Sequence, residues 1–332
     1  MFLALLAVLS GCGRGRHDKD VEKAYVAAPQ AYLRDRVAAV YNKVAMVKNG
    51  EEVAVLERSR RFVHVRTADN KDGWIEQRYL VGADVFEQLR KVAAENRATP
   101  VQATGLTRND TNIHLSPQRD AEHLYLLKDG IRLQLLKRAT TPKGPPVVAP
   151  AKSGPGGKTK EPPKPAMEDW WLIRDPEGRT GWVLSRLVDV DVPLEIAQYA
   201  EGQRIVGAFV LNQVEDAGKK VSQYLVVLTD NHDGMPFDYN AIRVFTWNVR
   251  RHRYETAYRE RNLFGVFPVR VGQESFDKEG TLPTFVLRVQ DDDGKVIERK
   301  YKLNTPIVRR VLSPEEAAAK AALPASRRRR RR

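Results

Sequence analysis

Cys12 is the only cysteine in this chain of 332 residues. A single thiol excludes an internal disulfide framework, a zinc–thiolate centre and a two-thiol redox pair. Histidine is scarce as well: the six of them (17, 64, 114, 123, 232 and 252) show neither HExxH nor His-x-His spacing. There is no Gly-x-Ser-x-Gly, no phosphate-cradling glycine loop and no dinucleotide fingerprint. The acidic runs Asp230-Asn231-His232-Asp233-Gly234 and Asp291-Asp292-Asp293-Gly294 lack the full calcium-loop pattern and read as ordinary turns. No catalytic residue, cofactor or metal site is therefore predicted. Long apolar runs are missing too. The longest, Met1 to Leu9, falls well short of the ~20 residues that a bilayer demands.

What is abundant is positive charge. The formal net charge is +14, of which Arg327 to Arg332 supply six, leaving a moderately basic +8. Such a remainder does not by itself imply a nucleic acid partner. The length allows two or three domains. Short runs punctuated by Gly and Pro, with one long amphipathic helical pattern, point to a mostly β chain.

The strongest internal signal is a self-match. Phe62-Val63-His64-Val65-Arg66 and Gly73-Trp74-Ile75 fall on Trp170-Trp171-Leu172-Ile173-Arg174 and Gly181-Trp182-Val183 at one offset of 108 residues. Upstream, Val47 to Arg58 falls on Leu127 to Arg138 at an offset of 80, so the second copy carries an insertion between Arg138 and Trp170. Two copies of one small β-unit are expected, at 25–82 and 99–190. In the first copy strands are expected at Tyr25–Ala27, Val37–Tyr41, Val44–Val47, Val53–Leu56, Phe62–Arg66 and Trp74–Ile75. Asn49-Gly50 supplies a turn. Trp74 and Trp182, each opening a strand, read as core residues.

Between the copies, 83–98 reads as a connector helix, with Phe86, Leu89 and Val92-Ala93 at helical spacing. Residues 139–167 hold eight prolines, four glycines and five lysines, a composition that cannot repay its ordering entropy and predicts a disordered insertion. Seven strands are expected over 193–312, with Asp292-Asp293-Gly294 closing a hairpin, which suggests an antiparallel sandwich-like domain. Ser313-Pro314-Glu315-Glu316 then opens a short helix before the arginine run. Trp170 and Trp171 are adjacent in a strand and so face opposite sides. One ring is expected to be exposed, and this pair is the candidate ligand-binding site.

Two resemblances give these observations a context. Leu9-Ser10-Gly11-Cys12 after an apolar stretch resembles the lipobox of bacterial lipoproteins. It implies a signal peptide at 1–12, lipidation at Cys12, a tether at 13–24 and an envelope location anchored to a membrane. The order apolar-Lys-[Asn/Asp]-Gly, alternating strand, aromatic-x-x-[Val/Ile]-Arg, turn, Gly-Trp-[Ile/Val] resembles the bacterial SH3-like (SH3b) domain. The opening of that family survives as Leu33-Arg34-Asp35 and as Asn112 to Pro117. The resemblance implies two small SH3-like barrels. Domains of this kind often accompany NlpC-type cysteine peptidases, but a lone Cys12 outside any fold excludes that chemistry here. The reading is a non-enzymatic, lipid-anchored envelope protein that binds peptidoglycan or an envelope protein, both barrels engaging a repetitive ligand at once. Two others stand beside it: a structural adaptor whose C-terminal β domain is the working part, and a cytoplasmic nucleic-acid binder using the arginine tail. The lipobox argues against the latter.

Overall fold

The computed structural model describes residues 21–144, 165–277 and 279–313. Cys12, the 313–332 helix beyond Ser313 and the arginine run lie outside them. The protein is mostly β and divides into two compact units, one ending at Ala83 and one beginning at Asp84.

The first unit is a single antiparallel sheet of seven strands. They are β1 (Lys23–Val26), β2 (Gln30–Arg34), β3 (Lys43–Lys48), β4 (Glu52–Ser59), β5 (Phe62–Thr67), β6 (Asp72–Glu76) and β7 (Leu80–Gly82), ordered β3-β2-β6-β5-β4-β1-β7. Alternation along them aims Val53, Val55, Val63, Val65 and Ile75 inward, onto Leu33 and Val47. The glycine of the Gly-Trp pair is required by close approach: a Cβ at Gly73 would lie 2.7 Å from Leu33 Cβ and 3.1 Å from the Arg34 carbonyl. The tryptophan itself is not core. Trp74 is half-buried on the outer face, stacked on His64 at 4.9 Å.

Two further expectations are corrected here. The sequence reading has no strand at Gln30–Arg34, whereas Val37–Tyr41 forms a loop rather than a strand, with Val40 86% exposed. That loop is closed by Asp35, which accepts hydrogen bonds from Asn42 N and Nδ2. Bonds from Arg36, and then from Asn42, draw the Asp35 carboxyl down to about 2.

The boundary falls at the first residue of α1 (Ala83–Glu95), whose buried residues are Val85 and Leu89. The buried face is thus centred on Val85 and not Phe86. The first sheet of the second unit comprises β8 (Ala103–Thr107), β9 (Thr111–His114), β10 (His123–Leu127), β11 (Arg132–Pro142), β12 (Met167–Arg174), β13 (Thr180–Leu184) and β14 (Val188–Val190). Their order is β10-β9-β13-β12-β11-β8-β14, the order of the sheet in the first unit with every strand replaced by its counterpart. Even the irregularity repeats. The register slips between Val55 and Glu57 in β4, and between Leu135 and Lys137 in β11. Gly181 repeats the close approach, 2.7 Å from the His114 carbonyl to a built Cβ, and Trp182 is again half-buried.

The ends of the Pro-rich stretch are structured. Ala139 to Pro142 extend β11 and pair with Trp170 back to Met167, and Lys143 N donates to Ala166 O at 2.7 Å. Residues 145–164 lie outside the described residues.

Eight strands follow instead of seven, in two four-stranded antiparallel sheets taken in sequence order. One holds β15 (Arg204–Asp216), β16 (Lys219–Thr229), β17 (Ala241–Asn248) and β18 (Arg253–Glu260). The other holds β19 (Gly265–Phe276), β20 (Gly280–Gln290), β21 (Val296–Asn304) and β22 (Ile307–Val311). The unforeseen one is β22. Asp291 N to Lys295 O closes the β20–β21 hairpin around Asp292-Asp293-Gly294.

Candidate functional site

In the first unit, the turn between β4 and β5 is Arg60-Arg61. Arg60 has φ +50°, in the left-handed region where a side chain is disfavoured. Gln77 N donates to Arg61 O at 2.8 Å, which ties this turn to the 3-10 turn Gln77–Tyr79 after β6. Between the two lies a groove of about 790 Å³, with Phe62, Arg34 and Leu80 among its lining residues.

The electrostatics of this groove are one-sided. Arg34 donates to Glu76 at 2.9 Å, and Arg78 meets the other oxygen of the same carboxylate at 2.8 Å. Glu76 is the only acid in the lining, and it is fully engaged. Among the described residues, Arg60 and Arg61 have no carboxylate within ion-pair distance. Arg34 is held in place by aromatic faces, its guanidinium carbon 4.1 Å from the Tyr41 ring centroid and 5.1 Å from that of Phe62. Tyr41 arrives on the 35–42 loop, so the segment expected as a strand supports the groove through Arg34. The Arg78 guanidinium is held protonated beyond its ordinary range by bonding to Tyr79 and by Glu76. The result is a fixed cationic floor with two free guanidinium groups at its rim. Such a surface suits a carboxylate or phosphate, which a guanidinium grips bidentately.

The corresponding place in the second sheet is closed. His114 pairs with Trp182 as Arg34 pairs with Trp74, and Trp170 stands where Phe62 does. Trp170 packs edge-on against His114 at 5.4 Å. Burial against this ring and others lowers the His114 pKa, so its imidazole favours the neutral form. Asp169 takes the place of Arg61. It is 1% exposed, binds Arg138 at 2.5 Å and accepts hydrogen bonds from Thr140 and from Gly234 N. Arg138 also donates to Asp238 O at 2.6 Å. Burial pushes the Asp238 carboxyl upward, against a bond from Phe267 N. The loop before β17 therefore covers this place in the second sheet.

This overturns the expectation for Trp170 and Trp171. Both are 1% exposed. They do face opposite sides, but both sides are covered: Trp171 packs on Phe267 at 5.8 Å and beneath the Arg138 guanidinium. Neither ring can stack on a ligand, and two simultaneous grooves are not available. Arg60 and Arg61, the residues that form the open site, were not singled out in the sequence because turn arginines ordinarily mark a solvated face. Their signal was the repeat itself, which sets Arg61 against Asp169. Cys12 lies outside the described residues.

Residues 30–81 match the bacterial SH3 domain. The match takes in every residue named in the groove, so the open site lies within the segment similar to the bacterial SH3 domain. No curated protein matches the sequence. Among solved structures, NlpC2 from Trichomonas vaginalis is 11% identical with a TM-score of 0.17, the likeness covering 84% of this chain and 96% of that one. An NlpC/P60 family protein from Bacillus cereus is 10% identical with a TM-score of 0.23, covering 86% and 95%.

Proposed function

We propose that this is a non-enzymatic envelope protein, anchored through a lipid on Cys12, whose bacterial SH3 domain binds an anionic cell-wall polymer in the Arg60–Arg61 groove. The observation that carries the reading is the pair of arginines left without a counter-charge above a floor whose one carboxylate, Glu76, is already engaged by Arg34 and Arg78. Peptidoglycan stem peptides present carboxylates at regular intervals, and free guanidinium groups are matched to them. The second sheet, with the same strand order, is on this reading a second SH3 repeat whose groove serves the fold. Engagement is then one groove per chain.

The test is co-sedimentation of the soluble form lacking residues 1–12 with purified sacculi. Arg60→Ala/Arg61→Ala should weaken binding at least tenfold at low salt. A control trimmed of Arg327 to Arg332 should keep specific binding at higher salt, where exposed charge is screened. Undiminished binding by the double variant would sink the assignment of this groove. For the anchor, wild type should fractionate with membranes and Cys12→Ala should not.

A further inference from the structure

The C-terminal sheets carry a second cavity, of about 690 Å³, that the cell-wall reading does not use. Three connections converge on it: the loop before β17, the loop between β18 and β19, and the β20–β21 hairpin. Next in sequence to its lining residue Asn240, Tyr239 is fully buried, donates to Arg288 O at 2.8 Å, and packs so tightly on Gly265 that no side chain could stand there. Phe237 and Phe264, both half-buried, meet edge-to-face at 5.3 Å beside the opening.

Around those rings stand Asp230, Asp291 and Asp292. Asp230 accepts from Asn240 Nδ2, and Asp291 accepts from Asp293 N and Lys295 N. Among the described residues none of the three has a lysine or arginine within ion-pair distance. The one cation in the lining, Arg299, is taken by Glu260 at 3.1 Å. In a chain of net charge +14, three carboxylates left without a cation around one preformed cavity stand apart from their surroundings. Carboxylates beside phenyl faces form a receptor for a guanidinium or ammonium group on an apolar stem.

We propose that this cavity takes arginine side chains of the run Arg327–Arg332 of the same chain. Charge complementarity selects a polycation, and this run holds six of the fourteen net positive charges. Reach permits it: the residues between Ser313 and Arg327 extend to at most about 45 Å, against a radius of gyration of about 14 Å for a domain of this size. Tethering favours it over any free basic peptide, because a short linker sets an effective concentration in the millimolar range. Docking the run here withdraws it from anionic surfaces and so sets how much of the basic charge of the protein is free.

The probe is a fluorescent hexa-arginine peptide, titrated at low salt into the soluble chain and into the same chain lacking 327–332. The trimmed chain retains a net charge near +8, so general electrostatics disfavours the peptide and only a local site can hold it. Binding to the trimmed chain should be at least tenfold tighter than to the full chain. Asp292→Lys, on an exposed turn residue with no bond to lose, should abolish it, and Asp230→Asn should weaken it several-fold. Circular dichroism checks that both variants remain folded. Equal binding by full and trimmed chains would show that the run does not occupy the cavity. Undiminished binding by Asp292→Lys would show that the peptide sits elsewhere, and either result overturns the proposal. Arg60 and Arg61 are untouched throughout, so the outcome is independent of sacculus binding.

Discussion

Arg61 and Asp169 occupy equivalent positions in two sheets of identical strand order, each immediately before the aromatic residue that opens the repeated sequence, although Asp169 already lies within β12. One is exposed and has no ion-pair partner, while the other is 1% exposed and held by Arg138. Arg60 differs from its counterpart in the same way: at the same offset it falls on Glu168, which is buried and paired with Arg119.

Reversing the first of these charges gives a direct expectation. Arg60→Glu/Arg61→Glu should eliminate sacculus binding at all salt concentrations, since the groove would then repel an anion. Both positions are exposed, so the melting temperature should move by no more than a few degrees.

The tryptophan pair should behave in the opposite way. Trp170→Ala and Trp171→Ala each remove a fully buried indole and should cost about 3–5 kcal/mol in denaturant unfolding. Sacculus binding by the folded fraction should be unchanged, because neither ring reaches solvent. A binding defect with wild-type stability would contradict their placement.

The buried pair offers a double-mutant cycle. Asp169→Ala leaves the Arg138 guanidinium buried and uncompensated and should destabilise by about 3–5 kcal/mol. Arg138→Met added to it should recover a large part of that loss, as the orphaned charge is gone. If the double variant is as unstable as the sum of the singles, the two side chains are not coupled.

Glu201 sets an acid limit. Bonds from Arg243, then Arg259, lower its carboxyl to about 2, well below the ordinary 4.5. A group with a depressed folded pKa stabilises the protein above its unfolded pKa and loses that contribution as pH falls toward the folded one. Stability should therefore decline between about pH 4.5 and about pH 2, and Glu201→Gln should flatten that limb. Arg243 is 4% exposed, so the variant should also be weaker at neutral pH.

Much of the frame was legible in the residues. The offsets of 108 and 80 anticipate the register of both sheets, because pairings fixed by a buried face cannot slip without inverting every side chain. Asp292-Asp293-Gly294 marked its hairpin through turn chemistry alone. Val37 to Tyr41 misled because an apolar run without alternation can be a loop packed by a single ring. The tryptophans misled for another reason. Alternation gives the direction of a side chain, but what covers it here is Phe267, nearly a hundred residues away, and no local pattern encodes that. The groove shared this fate, since its charge balance depends on Glu76 meeting Arg34 across the sheet.

The left-handed backbone at Arg60 carries a further consequence. Glycine adopts that conformation freely, whereas a side chain there costs roughly 1–2 kcal/mol. Arg60→Gly should therefore raise the melting temperature while it lowers affinity for sacculi. Selection for heat resistance alone would then erode adhesion at this turn, so a thermostable variant should be screened for both properties.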